Sequence, residues 1–252
     1  MKKLIPSFFG AVVFYTIIPI SSVFSVNFCK IAVWLPWVGI VIGILLGLIA
    51  EFFTLIGIPS LTKAVLIVSL WILITGGLHL DGVMDTADGL AVQNPEKKLE
   101  VMRDSQTGAF GVMAGIVVIT LKIASVSEIT ENLWFNLILV SSWGRWGQLI
   151  AIALYLYLRE KGKGAFLKEN LHLPIDVIIS SLFIIPLVIT QYFWLNQSFT
   201  IITLTLLISI TIPLLTGWWF KQQLGGHTGD TYGATVEWSE ALILSVLTIL
   251  DH

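Results

Sequence analysis

The sequence predicts an all-α, polytopic membrane protein, a single domain over residues 1–252 folded as a bundle of seven or eight transmembrane helices. Three observations predict it. Hydrophobic residues make up 56% of the chain, and its mean hydropathy is +0.90. Only 14 lysines and arginines and 16 aspartates and glutamates are spread over the 252 residues, too few to clothe a water-soluble surface of that size. Apolar runs of membrane-crossing length also recur from end to end. The single cysteine, Cys29, excludes an intramolecular disulfide or a multi-thiolate metal site and is expected to serve as packing filler.

The N-terminal run MKKLIPSFFGAVVFYTIIPISS has the basic start and apolar core of a signal peptide, yet no small-x-small cleavage site follows and Pro19 interrupts it. Residues 4–20 are therefore expected to be retained, as a span or as a re-entrant segment kinked near Pro6 and Pro19. The remaining spans are expected at 31–53, 62–78, 109–126, 134–157, 175–195, 199–219 and 234–250. The last crosses only if its helix starts near Gly233. Gly39, Gly43 and Gly47 form a G-x-x-x-G ridge suited to close helix contact, inside the bundle or between subunits. Oligomeric state is left open.

Charge placement orients the bundle. Loop 79–107 holds Lys97, Lys98 and Arg103, loop 158–174 holds Arg159, Lys161, Lys163 and Lys168, and loop 220–233 holds Lys221. Segments 127–133 and 196–198 hold no lysine or arginine. Four spans separate the first of these loops from the last, so both open on one face. The positive-inside rule makes that face cytoplasmic, in a bacterial inner membrane. Basic residues are too few, and too little interleaved with aromatics, to form a nucleic-acid surface.

Within loop 79–107 the stretch GGLHLDGVMDTADGL places Asp81, Asp85 and Asp88 four and three residues apart. On a helix that spacing keeps all three within an arc of roughly 60°. Like charges so placed repel beside a membrane, and a divalent cation relieves them most simply. Carboxylates without thiolates suit Mg²⁺, which keeps water and substrate phosphates in the rest of its shell. Gly82 and Gly89 allow close approach by a phosphate or a neighbouring backbone. His79 falls off the aspartate face, as a phosphate contact, a partner of the metal's ligands or a plain structural residue.

Further along, Arg103 offers a fork for a phosphate, Asp104 a further metal ligand, and Gly108 and Gly111 exposed backbone amides. Arg145 lies inside a span between Trp143 and Trp146 and requires a partner, either a carboxylate that locks helices or a functional group. In LGGHTGDTYGATVEWSEA, Gly226 leads into His227 and Asp230, candidates for metal ligation, phosphate contact or proton transfer. A helix starting near Tyr232 would turn its free amides toward an anion. Glu237 and Glu240, deep in the last segment, are costly unless paired.

TGGLHLDGVMDTADGL, VMRDSQTGAFG and LGGHTGDTYGATVEWSEA, together with the length and hydrophobicity of the whole chain, resemble the cobalamin synthase (adenosylcobinamide-GDP ribazoletransferase) family. Met84 stands where that family tends to have a small residue and Gln106 where a basic one is frequent. The resemblance implies attack by α-ribazole, or its 5′-phosphate, on the cobinamide-linked phosphorus of adenosylcobinamide-GDP, with GMP released and Mg²⁺ required. It implies metal at Asp81, Asp85 and Asp88, joined by Asp104, with His227 or Asp230 orienting or deprotonating the ribazole hydroxyl and Arg103 steadying a phosphate oxygen. His79, Gly82, Gly108 and Gly226 are the accompanying binding positions. Membrane CDP-alcohol phosphotransferases share the D-G…D…D chemistry, but their pattern has Ala-Arg where this chain has Met84-Asp85, and it includes a second D-x-x-x-D absent here. A cation or metabolite transporter would place its carboxylates at mid-span. A purely structural subunit accounts for none of the polar motifs.

Overall fold

In a computed structural model the described residues are 4–21, 23–159 and 162–251. Lys2 and Lys3 of the basic start, and Lys161, lie outside them. The described chain is all helical. In order come α1 (Leu4–Tyr15), a 3₁₀ turn (Ile31–Trp34) running into α2 (Leu35–Leu55), α3 (Ser60–Ile74), α4 (Leu78–Ala91), α5 (Pro95–Val101) and α6 (Ala109–Glu128). There follow α7 (Leu133–Leu154), α8 (Lys163–Glu169), α9 (Ile175–Ser181), α10 (Ile184–Ile189) with a π-helical turn (Thr190–Trp194), α11 (Phe199–Leu224) and α12 (Gly229–Asp251). Six stretches among the described residues are long and apolar enough to cross a membrane, and a seventh is added if α3 and α4 count as one bent span.

Three expectations need correction. Helix α1 has 12 residues, about 18 Å at 1.5 Å per residue, too short for a hydrocarbon core of about 30 Å. It is not an eighth span. The chain beyond it doubles back, with the Asn27 amide bonding Pro6 O at 2.9 Å and the Ile17 amide bonding Ile74 O at 2.8 Å. Cys29 is exposed rather than packed. The expected span 62–78 stops at Ile74, because Gly76 and Gly77 take φ of 64° and 71° and turn the chain. Helix α4 then runs at 89° to α3. It packs against α6 and α12, with Val83 in one cluster with Val118, Ala234 and Ala241.

The bundle is organised on α7, in which every residue from Leu139 to Ala153 is buried. Gly39, Gly43 and Gly47 of α2 lie against the backbone of Ser141, Ile138 and Trp134 of α7, so the glycine ridge is an internal, antiparallel contact. Beneath the polar end sits a buried ionic cluster. Lys122 of α6 reaches Glu237 and Glu240 of α12, each at 2.6 Å, and Arg145 of α7 reaches the other oxygen of Glu240 at 2.8 Å. All four side chains are at most 3% exposed. Trp71 of α3 covers the ammonium, 4.3 Å from the ring centroid. Two cations meet two anions, which is how charge persists where desolvation is costly. Arg145 is thereby a lock between helices.

Candidate active site

Helix α4 brings the aspartates to the N-terminus of α12 through two glycines. A Cβ on Gly82 would stand 2.5 Å from the carbonyl oxygen of Asp230, and one on Gly233 would stand 3.0 Å from Cα of His79. No larger residue permits the crossing at Gly82. Of the two uses foreseen for it, the structure shows close approach by a neighbouring backbone. The crossing joins the aspartate and histidine motifs at one end of the bundle.

The three aspartates then diverge in role. Asp88 accepts from the amides of Gly108 at 2.6 Å and Gly111 at 2.8 Å, one to each oxygen. It caps the N-terminus of α6, where a carboxylate complements both the free amides and the helix dipole. The amides expected to face substrate are thus filled by the protein. Asp81 is exposed and Asp85 half-exposed. Burial, with Asp81, Asp230 and Asp88 nearby as like charges, pushes the Asp85 carboxyl up to about 7, and the Arg159 guanidinium opposes this only in part. Asp104 bends its own loop, accepting from the Gln106 amide at 3.0 Å, and is exposed. Arg103 is exposed next to Met102, which packs on Gly89.

Asp230 is held by a residue that sequence reasoning treated only as loop charge. Arg159 Nη2 donates to Asp230 Oδ2 at 2.6 Å and to the Met102 carbonyl at 3.3 Å. The chain between α7 and α8 is drawn there by a strand-like bridge, the His227 amide to Leu156 O and the Leu158 amide to His227 O, both 2.8 Å. Gly226 serves this bridge, since a Cβ there would stand 2.5 Å from Leu156 O. Lys168, also expected as loop charge, donates to the Ile152 and Tyr155 carbonyls and closes the C-terminus of α7. The one available signal for Arg159 was its position on the aspartate side, directly after the aromatic stretch that ends a span.

His227 is completely buried. Its Nε2 bonds the Gly217 carbonyl at 3.0 Å, so it carries the proton, and Nδ1 meets Thr231 Oγ1 at 3.0 Å. The ring is stacked between Tyr155 and Tyr232, with centroids 5.2 and 5.4 Å away. Burial, with Lys168 nearby, brings its pKa down to about 4. Thr228 and Thr231 cap α12 reciprocally, the Thr228 amide donating to Thr231 Oγ1 at 2.8 Å and the Thr231 amide to Thr228 Oγ1 at 3.3 Å. The helix accordingly starts at Gly229, before the expected Tyr232.

Four carboxylates, Asp81, Asp85, Asp88 and Asp230, therefore share one end of the bundle with the Arg159 guanidinium. Among the described residues no three His, Cys, Asp or Glu side chains close into a ready-made metal cage. Mg²⁺ commonly takes one or two carboxylates and completes its octahedron with water and substrate phosphate. Hard oxygen donors and an uncompensated negative charge fit this ion.

Fold and site define a polytopic membrane protein with a carboxylate-rich polar end. The family model of cobalamin-5-phosphate synthase matches residues 7–248, and the chain belongs to that family. It is 47% identical over 252 residues to an adenosylcobinamide-GDP ribazoletransferase of Trichormus variabilis, covering 99% of each chain. Proteins of the same description from Synechocystis sp. and Thermosynechococcus vestitus are 47% and 43% identical. Alignment with the first covers 96% of this chain and 94% of the relative, and with the second 99% and 98%. No solved structure matches the chain.

Proposed function

We infer that this chain joins adenosylcobinamide-GDP to α-ribazole, or to its 5′-phosphate, releasing GMP in the final assembly of cobalamin. The observation that carries this is the near-full-length family match, met in the structure by the convergence of Asp81, Asp85, Asp230 and Arg159 at one end of the bundle. The ribazole hydroxyl oxygen attacks the cobinamide-linked phosphorus, the bond from that phosphorus to the bridging oxygen breaks, and GMP departs with the electron pair. Mg²⁺ held by Asp81 and Asp85 would supply positive charge against the diphosphate and the leaving GMP.

The chain's own residues divide the remaining work. Asp230 is fixed through Oδ2 by Arg159 and by Thr228 at 3.3 Å, which leaves Oδ1 to orient the hydroxyl and receive its proton. His227 supports this from within, because its stack and its bridge to Leu156 and Leu158 set the position of Arg159. Arg103, exposed beside Met102, is suited to steadying a phosphate oxygen as the substrate docks. Asp88 holds the start of α6 against α4 while its remaining lone pairs stay open to the metal. Asp104, exposed in its own turn, is placed for a peripheral contact at most.

The site faces the cytoplasm of the bacterial inner membrane. Lys97, Lys98, Arg103, Arg159, Lys168 and Lys221 cluster at the site end, whereas Lys63 stands at the opposite end, on the first turn of α3, where Ser60 bonds the Ser127 carbonyl near the C-terminus of α6. The test is reconstitution in nanodiscs with adenosylcobinamide-GDP, α-ribazole and Mg²⁺, assaying GMP and the completed corrinoid. Mg²⁺-dependent product that Asp85→Asn abolishes supports the reading. A folded wild-type protein that makes none refutes it.

A further inference from the structure

Behind the carboxylates lies a cavity of about 220 Å³ whose inner wall the chemistry above leaves unused. Asp81, Asp230 and Arg159 are the charged groups among its lining residues, Asp81 exposed and the other two partly so. Its deeper wall is Tyr15, His79, Gln148 and Tyr232, each at most 4% exposed. Charge therefore sits at the mouth and neutral polar groups sit at the floor.

That floor is unsatisfied. Tyr15 Oη, Tyr232 Oη, Gln148 Oε1 and both ring nitrogens of His79 are buried without a hydrogen-bond partner, as is Arg159 Nε at the mouth. Buried polar atoms in native proteins are nearly always bonded, and six without a partner belong to residues that line this one cavity. Phe14, partly buried, and Leu78, exposed, add apolar surface to the lining. The occupant this combination suits is neutral, part flat and apolar, with a few separated hydrogen-bonding atoms.

We propose that this cavity seats the acceptor nucleoside, taking its aromatic base and ribose while the reacting hydroxyl lies at the mouth beside Asp230. The assignment rests on the transferase reading above. The volume falls below the roughly 300–1,000 Å³ of sites for drug-sized ligands, which fits one nucleoside and excludes a corrin ring. Guanosine of the donor is the competing occupant. A guanine edge presents several adjacent donors and acceptors and is best met by a carboxylate, and the floor has none among the described residues. A benzimidazole base, with one free ring nitrogen and apolar edges, matches the tyrosines, His79 and the apolar wall.

Tyr232→Phe and Gln148→Met test this, because each removes a partnerless polar atom at nearly constant shape and so leaves folding intact. In nanodiscs each is expected to raise the KM for α-ribazole about five- to tenfold, the equivalent of one hydrogen bond, with the KM for adenosylcobinamide-GDP unchanged. Equilibrium dialysis of labelled α-ribazole, free of turnover, is expected to show the same weakening. An unchanged α-ribazole KM and affinity in both variants overturns the proposal. A rise confined to adenosylcobinamide-GDP overturns it in favour of guanosine, and a fall in kcat alone marks a water-filled structural cavity. Wild-type protein that binds α-ribazole but transfers nothing sinks the transferase reading and leaves the cavity assignment standing.

Discussion

Replacing Lys122 by methionine removes one member of the buried ionic cluster while keeping a side chain of similar length. The ammonium makes two charge-assisted bonds of 2.6 Å, to Glu237 and to Glu240. Glu240 retains Arg145 at 2.8 Å, but Glu237 has no second cation among the ion pairs of the described residues. The variant must bury an unpaired carboxylate or take up a proton to neutralise it. Breaking a buried pair on one side costs roughly 3–5 kcal/mol, and here the upper half applies because one cation serves two carboxylates. At 2–4 °C per kcal/mol for a chain of this size, the midpoint of thermal unfolding falls by about 10 °C. Unfolding followed in nanodiscs by tryptophan fluorescence and circular dichroism measures it. The double variant Lys122→Met, Glu237→Gln removes the orphaned charge and should regain more than half of the loss. A single variant within about 1 kcal/mol of wild type, or a double variant no better than the single, would refute the assignment of a locking role to the cluster.

Arg159→Met is expected to lower kcat/KM about 100-fold with a stability change below about 1 kcal/mol, since the pair with Asp230 is partly exposed; steady-state GMP release and a melting curve give both numbers. Gly82→Ala sets a methyl group against the Asp230 carbonyl, so α4 and α12 must part; we expect a loss of about 1–3 kcal/mol with near-complete loss of turnover, and normal activity would show the crossing to be unimportant. For Asp85 the folded protein holds its proton to about 7 whereas an unfolded chain releases it near 3.8, so this group makes metal-free protein less stable as pH rises between those values. Mg²⁺ displaces the proton, and its stabilising effect in melting curves should therefore be larger at pH 8 than at pH 6 and lose that dependence in Asp85→Asn. Because His227 is neutral down to about pH 4, the acid limb of the pH–rate profile between pH 5 and 8 should persist in His227→Gln; its disappearance would restore His227 as the proton acceptor.

The spans and the meeting of the aspartate and histidine motifs were legible because both rest on quantities that sequence carries directly. Apolar length fixes crossings, and their number fixes which loops share a face. The glycine ridge was legible as a close contact, though only the structure shows Gly43 against α7 rather than another subunit. What escaped were pairings between distant positions. Lys122 is one charge in an apolar run, and its partners lie 115 and 118 residues away. Arg159 meets Asp230 across 71 residues. Asp88 shares the helical face of Asp81 and Asp85, yet its oxygens go to amides 20 and 23 residues on, so a correct periodicity concealed a different use. His227 stood out by its glycine-rich setting, and the structure adds that Gly226 lets the backbone of Leu156 and Leu158 close around it.

Helix α12 carries both kinds of acidic site, and comparing them bears on what the polar end is for. Glu237 stands seven residues after Asp230, about 10 Å deeper at 1.5 Å per residue. At that depth two carboxylates are matched by two cations and withdrawn from solvent. At the mouth Asp81, Asp85, Asp88 and Asp230 stand near one another, with Arg159 the cation paired to Asp230 among the described residues, and burial with these like charges pushes the Asp85 carboxyl up to about 7. The fold thus balances acidic charge completely where stability requires it and leaves it unbalanced one helical layer above. Like charges held together in this way are unfavourable in the free protein and are relieved by protonation, as at Asp85, or by added positive charge. That is the property expected if, as proposed above, metal and diphosphate enter the site together, each favoured by the charge of the other.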